Sequence, residues 1–300
     1  MKYGILTREE EGIKMRLTNR LEYPEAYVEA AKKHIYPKKV DRIGVTTLID
    51  SPMIRRLSIT LFDEIVIDVD DTFTGMLGTA FHKHLEAHSL DAAKTEKKWE
   101  LLIDGITLVG VADVVDEHEI ADYKLLSGWS FVFDKSETWT KQLNVLRYLA
   151  MKVDKMEISS LVVHAFVKDW TFYQAQQKSD YPQNRYMKIN IPIWDTAKTE
   201  SYIMERLRLH LDPNYVCNDE DKWLRHETFQ VLRKGGKRAI KGSASNPITF
   251  ADAEKYILEK NLTSDYKSGI IYIEEKKSEA KRCEQYCSCK SVCPLMKGVK

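Results

Sequence analysis

The sequence predicts an α/β fold in which helices flank a mixed central sheet. Three observations support this prediction: two apolar stretches joined by a polar turn, a later run rich in β-branched residues, and helical periodicity before and after them. The predicted order of the core is strand, strand, strand, helix, strand. Such an order places parallel and antiparallel strands in one sheet and packs helices on it.

The predicted elements follow one another from residue 24 onward, whereas residues 1–22 show no clear pattern. Apolar stripes predict helices over 24–34, 46–62, 73–90, 136–152, 196–211 and 250–260. Apolar or β-branched stretches predict strands over 97–103, 106–113, 119–126, 158–167, 187–193 and 269–274. We therefore expect an N-terminal extension over 1–43, a core over 44–195, and a C-terminal helical and basic segment with a cysteine-rich tail over 196–300 that packs on the core.

The most informative stretch is the predicted hairpin that ends at Lys124. Asp122 and Lys124 are two residues apart on one strand, so their side chains point to the same face. Asp113 ends the preceding strand, and the polar turn at 116–119 folds it back toward Asp122. An exposed Asp-x-Lys pair is most often a solvated pair, but charges in an apolar hairpin are costly unless they are paired or bind metal. Two carboxylates there predict a hard-oxygen site for Mg²⁺ or Mn²⁺.

Two predicted helices carry further polar side chains. His82 and Glu86 are four residues apart, so they lie on one helical face and can address one centre. The helix over 136–152 carries Gln142, Asn144 and Tyr148, which could hydrogen-bond a phosphate or the lysine. Each of these residues alone is also typical of an ordinary surface helix.

Taken in order, these motifs resemble the RecB-like branch of the PD-(D/E)XK nucleases, including phage-type exonucleases. The motifs are Gly-x-x-x-His-x-x-x-Glu on a helix, Gly-x-x-Asp at a strand end, Asp-Tyr-Lys on the next strand, and a glutamine-bearing helix, within roughly residues 44 to 168. The resemblance implies a restriction-endonuclease-like core and a metal-dependent DNA nuclease, of exonuclease type, that acts in DNA repair, recombination or phage replication.

The resemblance also implies roles for individual residues. It implies His82, Asp113, Asp122 and the backbone carbonyl of Tyr123 as metal ligands, and Asp113, Asp122, Lys124 and Gln142 as catalytic residues. The family usually has a tyrosine four residues after the glutamine, where this chain has Leu146. Tyr148 is the neighbouring residue that could substitute for it.

The C-terminal tail contains four of the five cysteines, namely Cys283, Cys287, Cys289 and Cys293. With no signal peptide, we expect a cytoplasmic protein, encoded by a bacterium or a phage, in which such a cluster binds metal rather than forming disulfides. Thiolates select Zn²⁺ or an iron–sulfur cluster. Free or oxidised thiols are the third alternative.

The tail is similar to that of the iron–sulfur RecB-like nucleases, a group that includes the CRISPR-adaptation nucleases. Cys283, Cys287 and Cys293 followed by a proline carry this resemblance, which implies a [4Fe-4S] cluster. In that group a further cysteine lies upstream, commonly before a proline, and Ser51 stands at the matching place. Cys289 or Cys217 would then supply the fourth bond.

Composition limits where the protein can bind DNA. The formal net charge is only +1, so a nucleic-acid surface must be a local patch. One basic segment surrounds a Gly-Gly turn and is predicted to bind phosphates, with a solvated turn as the alternative; it contains Arg233, Lys234, Lys237, Arg238 and Lys241. No apolar run approaches the roughly 20 residues of a membrane helix. We therefore expect DNA as the partner, together with a recombination or replication protein, and no membrane.

Two other classes of protein stay open at this point. One is a nucleic-acid-binding protein that keeps a nuclease-like fold without cleaving, and the other is an interaction protein with a zinc-binding tail and structural carboxylates. The set of His82, Asp113, Asp122 and Lys124 favours the nuclease, because a binding module does not need all four.

Overall fold

The computed structural model of the protein describes residues 6–10, 13–91, 94–128, 136–236, 238–240 and 249–296. The chain forms two units, of which the first consists of Met1–Val216 with Ser288–Lys300 and the second of Cys217–Cys287. The domain division predicted from the sequence, with boundaries after residues 43 and 195, stays a prediction. None of the described helices combines the length and the apolar character needed to cross a membrane.

The first unit contains both helices and strands. The helices are α1 (Glu25–Lys33), α2 (Val45–Leu48), α3 (Pro52–Thr60), α4 (Phe73–Ala87), α5 (Ser136–Asp154), α6 (Phe172–Gln177) and α7 (Thr196–Leu211). The strands are β1 (Leu6–Glu10), β2 (Ile13–Thr18), β3 (Arg42–Gly44), β4 (Val66–Asp68), β5 (Thr95–Ile103), β6 (Ile106–Val115), β7 (Glu119–Leu126), β8 (Ser160–Val167) and β9 (Tyr186–Asn190). Short 3₁₀ turns lie at Phe62–Glu64, Val69–Thr72 and Pro294–Met296.

The central sheet has the strand order β3-β6-β7-β8-β9, and β5 pairs with β6 outside this path. The β6–β7, β5–β6 and β8–β9 pairs are antiparallel, whereas β7–β8 and β3–β6 are parallel. This confirms the predicted fold class, an α/β core with a mixed central sheet flanked by helices, followed by a cysteine-rich tail.

Two segments differ from the sequence prediction. The single helix predicted over 46–62 is two helices, α2 and α3, because Pro52 has no N–H to continue a helix and Ser51 before it is extended (ψ 124°). Residues 1–22, which show no pattern in the sequence, contain β1 and β2. They form a second sheet in which β2 pairs with β4 in parallel.

Helix α5 packs against the central sheet and forms the main core. Its apolar side chains Leu143, Leu146 and Leu149 are almost fully buried. They approach the sheet closely at Gly110 in β6. A Cβ atom at this glycine would lie 2.6 Å from side-chain carbons of both Leu146 and Leu149 and 3.3 Å from Val45. Gly110 therefore lets the helix that carries Gln142 lie close to the strand that carries Asp113.

We expect Gly110→Ala to destabilise the fold by about 1 to 3 kcal/mol, because a methyl group must displace well-packed leucines. Gly75→Ala is the control, since Gly75 lies in α4 and no neighbouring side chain comes within 4 Å of the place that its methyl group would occupy. That change should stabilise the helix by about 0.5 to 1 kcal/mol. Urea unfolding of both variants measures the difference, and equal midpoints for the two would contradict this packing.

The second unit is smaller and has its own apolar cluster. Its elements are α8 (Asp219–Lys222), β10 (Leu224–Arg225), β11 (Thr228–Arg233), α9 (Phe250–Glu259), α10 (Thr263–Lys267), β12 (Ile271–Lys276), β13 (Glu279–Ala280) and α11 (Lys281–Gln285). Two antiparallel pairs, β10–β13 and β11–β12, form its sheets. The cluster joins Val231 and Ile271 of the longer pair to Ala253 and Ile257 of α9.

Candidate metal centre

The β6–β7 hairpin holds the two carboxylates where its strands cease to pair. The paired residues next to the turn are Val114 with Ala121 and Val115 with Ile120. The next residues on the two strands are Asp113 and Asp122. One Asp113 carboxylate oxygen accepts a hydrogen bond from the backbone N–H of Tyr123 at 2.6 Å, which fixes its orientation. The hairpin therefore opens at its two acidic residues, which lie opposite each other.

Helix α4 contributes an imidazole to this opening. His82 Nδ1 lies 3.1 Å from the other carboxylate oxygen of Asp113. This contact raises the pKa of His82 above its usual value, while partial burial opposes the rise. The negative charge of Asp122 also raises the pKa of His82. Residues that are far apart in the sequence thus meet around Asp113.

Asp122, Lys124 and Gln142 form a second group on the side of the sheet that α5 covers. Asp122 is only 4% exposed. Gln142 donates to Asp122 Oδ1 at 2.8 Å and accepts from Lys124 Nζ at 3.2 Å. Lys124 Nζ also lies 2.7 Å from Asp122 Oδ2 as an ion pair. Burial raises the pKa of Asp122, and the charge of Lys124 opposes this rise.

One oxygen of this group has an unusual environment. Among the described residues, none makes a hydrogen bond of suitable geometry to Asp122 Oδ2, although the atom is buried. The ammonium of Lys124, 2.7 Å from this oxygen, is its charge partner, and burying such a pair is costly unless further partners compensate for the lost water. The same oxygen beside a second carboxylate and an imidazole suits a divalent cation. The residues present therefore fit a bound Mg²⁺ or Mn²⁺.

Glu96 joins the site although the sequence gives no sign of it. A carboxylate oxygen of Glu96 and ligand atoms of His82 and Asp113 all lie within 4.8 Å of one another. Partial desolvation raises the pKa of Glu96, and the charge of Asp113 adds to this effect. Only the β5–β6 register reveals the residue, since it places Glu96 across from Asp113.

Other residues of the predicted site lie elsewhere or have another visible role. Tyr148 belongs to the main core, with the ammonium of Lys152 5.1 Å from its ring centre. Leu146 packs in the same core near Gly110. The backbone N–H of Tyr123 donates a hydrogen bond to Asp113. Binding of the metal by the backbone carbonyl of Tyr123 stays a prediction.

Aromatic side chains beside His82 cover the face of the sheet opposite Asp122 and Lys124. Tyr123 pairs with His164 on the next strand, and Phe166 pairs with Tyr186 on the strand beyond. The ring centres of His82 and Tyr123 are 6.4 Å apart, and those of His164 and Tyr186 are 5.9 Å apart with nearly parallel planes. Tyr186 is 44% exposed. We call Tyr123, His164, Phe166 and Tyr186 the aromatic face.

The predicted basic segment is a turn in the second unit. Gly235 has a φ of +78°, and Gly236 donates to the Arg233 carbonyl at 2.8 Å to close the turn. Arg233 also forms an ion pair of 3.4 Å with Asp265. Lys234 and Arg238 lie in this turn. Two further cations of the prediction, Lys237 and Lys241, lie outside the described residues.

The tail cysteines divide between the two units. Cys283 and Cys287 belong to the second unit, as does Cys217, and Cys289 and Cys293 belong to the first. The Cys289 sulfur is fully buried beneath α3, 3.4 Å from the Ser58 hydroxyl and 3.6 Å from the Ile54 carbonyl oxygen. Metal binding by the tail stays a prediction.

Comparisons with known proteins give distant similarities. No family model and no curated protein matches the chain. Among solved structures, the crystal structure of SSO0001 matches with a TM-score of 0.42 and 16% identity over 66% of this chain and 88% of that chain. An alkaline exonuclease, LHK-Exo from Laribacter hongkongensis, matches with a TM-score of 0.33 and 12% identity over 62% of this chain and 92% of that chain. Both are similarities in fold at low identity, so a function for this chain depends on the geometry of its own residues.

Proposed function

We propose that this protein is a metal-dependent DNA nuclease, of exonuclease type, that hydrolyses phosphodiester bonds. The observation that carries the proposal is the meeting of two groups at the open end of the β6–β7 hairpin. One group is the His82–Asp113 pair, and the other is buried Asp122 with Lys124 and Gln142. Burying a carboxylate beside a second carboxylate, with one lysine to compensate, is costly for a purely structural hairpin.

His82, Asp113 and Asp122 would hold the cation. Their donor atoms are carboxylate oxygens, which suit Mg²⁺ or Mn²⁺, and one imidazole nitrogen, a ligand more typical of transition metals. When bound, the cation supplies Lewis-acid stabilisation of phosphate charge and lowers the pKa of a coordinated water. The N–H of Tyr123 orients Asp113 for this role.

Lys124 would stabilise negative charge on the phosphate during hydrolysis. Its ammonium is held at 2.7 Å from Asp122 and 3.2 Å from Gln142, so a positive charge is fixed beside the metal ligands before substrate binds. A charge fixed in advance needs no reorganisation when the transition state forms. Gln142 is the positioning residue, because its amide joins Lys124 to Asp122 from α5.

The aromatic face would bind the bases of the substrate strand. The rings begin beside His82, and aromatic rings can stack on unpaired bases of any sequence. Exposed Lys188 lies opposite His164 on the same face and, in exchange for its 3.6 Å ion pair with Glu119, would contact the phosphate backbone. The basic turn of the second unit is proposed as a further phosphate contact.

We expect Tyr186→Ala to weaken binding of a single-stranded oligonucleotide by about 1 to 3 kcal/mol, the usual contribution of one stacked base. Binding is measured by fluorescence anisotropy in EDTA, so cleavage does not interfere. Tyr173→Ala is the control, since Tyr173 is 72% exposed on α6 and is not part of the aromatic face. Equal losses in both variants would mean that the aromatic face has no special role.

The cysteine tail is proposed to hold an iron–sulfur cluster or a zinc ion as a structural element. Its thiolates are soft ligands, whereas the hairpin offers hard oxygens, so two separate metal populations are expected. Iron, zinc and sulfide analysis of protein purified without oxygen distinguishes the two metals. Cys287→Ser should then lower thermal stability more than it changes the metal dependence of cleavage.

The direct test is a nuclease assay with Mg²⁺, Mn²⁺ or EDTA on labelled single- and double-stranded DNA, both linear and circular. Cleavage of linear DNA with either cation and none in EDTA supports the proposal. Binding without cleavage under all these conditions would instead indicate a nucleic-acid-binding protein. Cleavage of circular DNA would contradict the exonuclease assignment alone.

A further inference from the structure

Glu96 occupies a position that brings a third carboxylate to the candidate metal centre. Its neighbours on both sides in β5 pair with the neighbours of Asp113 in β6. Its own φ is +50°, a left-handed value that is unusual for a residue with a side chain inside a strand. At this position, one carboxylate oxygen lies within 4.8 Å of ligand atoms of both Asp113 and His82.

A second observation shows that this cluster is more than a group of surface acids. Asp122 is 4% exposed, and the only charge partner that the described residues give its Oδ2 is the ammonium of Lys124 at 2.7 Å. The negative charge of Asp122 raises the pKa of His82, and the negative charge of Asp113 raises the pKa of Asp122. The cluster therefore borders a buried carboxylate whose charge is compensated by a single lysine.

Like charges so close together are unfavourable without a cation between them. Glu96 and Asp113 repel each other, and the nearby charge of Glu86 adds to the repulsion on Glu96. The imidazole of His82 lies against Asp113, and the ammonium of Lys124 pairs with Asp122. A divalent cation would turn this repulsion into attraction and would gain a hard oxygen ligand.

We propose that Glu96 is a direct ligand of the catalytic cation, together with His82 and Asp113. This inference rests on the proposed function and adds a ligand from β5, a strand that the nuclease motifs do not include. The extra carboxylate would raise the affinity of the site for a hard divalent cation. It would also tie β5 to α4 and β6 when the cation is bound.

The experiment measures Mn²⁺ binding to the full chain without DNA, by isothermal titration calorimetry. Glu96→Gln keeps the size of the side chain and removes its charge, and we expect its Mn²⁺ affinity to fall by about tenfold or more. Glu86→Gln is the matched control, because it removes a charge that also acts on Glu96 but from a side chain outside the cluster of ligand atoms. That control should change the affinity by less than about threefold, as expected for an exposed charge in solvent.

A second variant separates metal binding from a structural role. Glu96→Gly suits the left-handed backbone, so its unfolding temperature in EDTA should equal or exceed that of the parent protein. Its Mn²⁺ affinity should nevertheless fall as in Glu96→Gln. A variant that is more stable and yet binds Mn²⁺ less tightly cannot be explained by loss of folding.

The outcomes distinguish this inference from the proposed function. Parental Mn²⁺ affinity in both Glu96 variants, with intact cleavage by the parent protein, overturns the ligand role and leaves the nuclease proposal standing. Equal losses of Mn²⁺ affinity in Glu96→Gln and Glu86→Gln also overturn it, because the electrostatic effect of any nearby negative charge would then explain both losses. A parent protein that neither binds Mn²⁺ nor cleaves DNA overturns both.

Discussion

Asp122→Asn is expected to lower the rate of DNA cleavage by about a thousandfold or more. Asparagine keeps the shape of the side chain and an oxygen that accepts from Gln142, so the contact between β7 and α5 survives. It removes the negative charge that would bind the cation and that now pairs with Lys124. The measurement is the single-turnover rate on end-labelled linear DNA across a range of Mg²⁺ and Mn²⁺ concentrations.

Glu117→Gln is the control for this substitution. Glu117 is an exposed acid in the turn of the same hairpin, so its loss should leave the rate at the parental value. Circular dichroism and the unfolding temperature should show that both variants fold. If Asp122→Asn cleaves at the parental rate with the same Mg²⁺ dependence, the assignment of the metal centre is wrong.

Lys124→Met is expected to lower cleavage by about a hundredfold to ten-thousandfold. Methionine keeps much of the apolar stem but has no ammonium to stabilise the phosphate. In contrast to Asp122→Asn, it should leave Mn²⁺ affinity equal or higher, because it removes a positive charge from beside the ligands. Mn²⁺ affinity, measured by calorimetry, and the cleavage rate of the two variants therefore distinguish the catalytic lysine from the metal ligands.

Lys98→Met is the matched control for the lysine. Lys98 lies on β5 and forms an exposed ion pair with Glu100, a contact that contributes little in water. Its substitution should change neither the cleavage rate nor the Mn²⁺ affinity. A Lys124→Met protein that retains the parental rate would place the stabilising charge on another residue.

The central sheet was predictable because its signals are local. β7 occupies residues 119–126, as the apolar pattern predicts, and α5 begins at Ser136 and ends two residues beyond its predicted end. Asp122 and Lys124 share a side of the sheet by the two-residue period of a strand. Asp113 lies close to the other strand of the hairpin because the turn at 116–119 folds β6 back onto β7.

The missed features depend on contacts between distant segments. β2 has alternate charged residues, and it is stabilised by pairing with β4 about 50 residues later rather than by its own pattern. Glu96 enters the site through strand register and a left-handed backbone, neither of which composition reveals. The break before α3 was signalled by Pro52, but the apolar stripe on both sides suggested one continuous helix.

His82 lies on α4, which we expect to be locally less stable than the sheet that carries Asp113 and Asp122. Asp113 and Asp122 belong to the central sheet, whereas none of the fifteen residues of α4 is buried, and Phe73 and Leu77 remain exposed. A helix with so little buried surface can open at a small free-energy cost while the sheet stays folded. A cation that binds His82 together with the sheet carboxylates would favour the docked helix by mass action. Amide hydrogen exchange in α4 would then slow with cation concentration while exchange in β7 stays constant, so the helix itself reports occupancy.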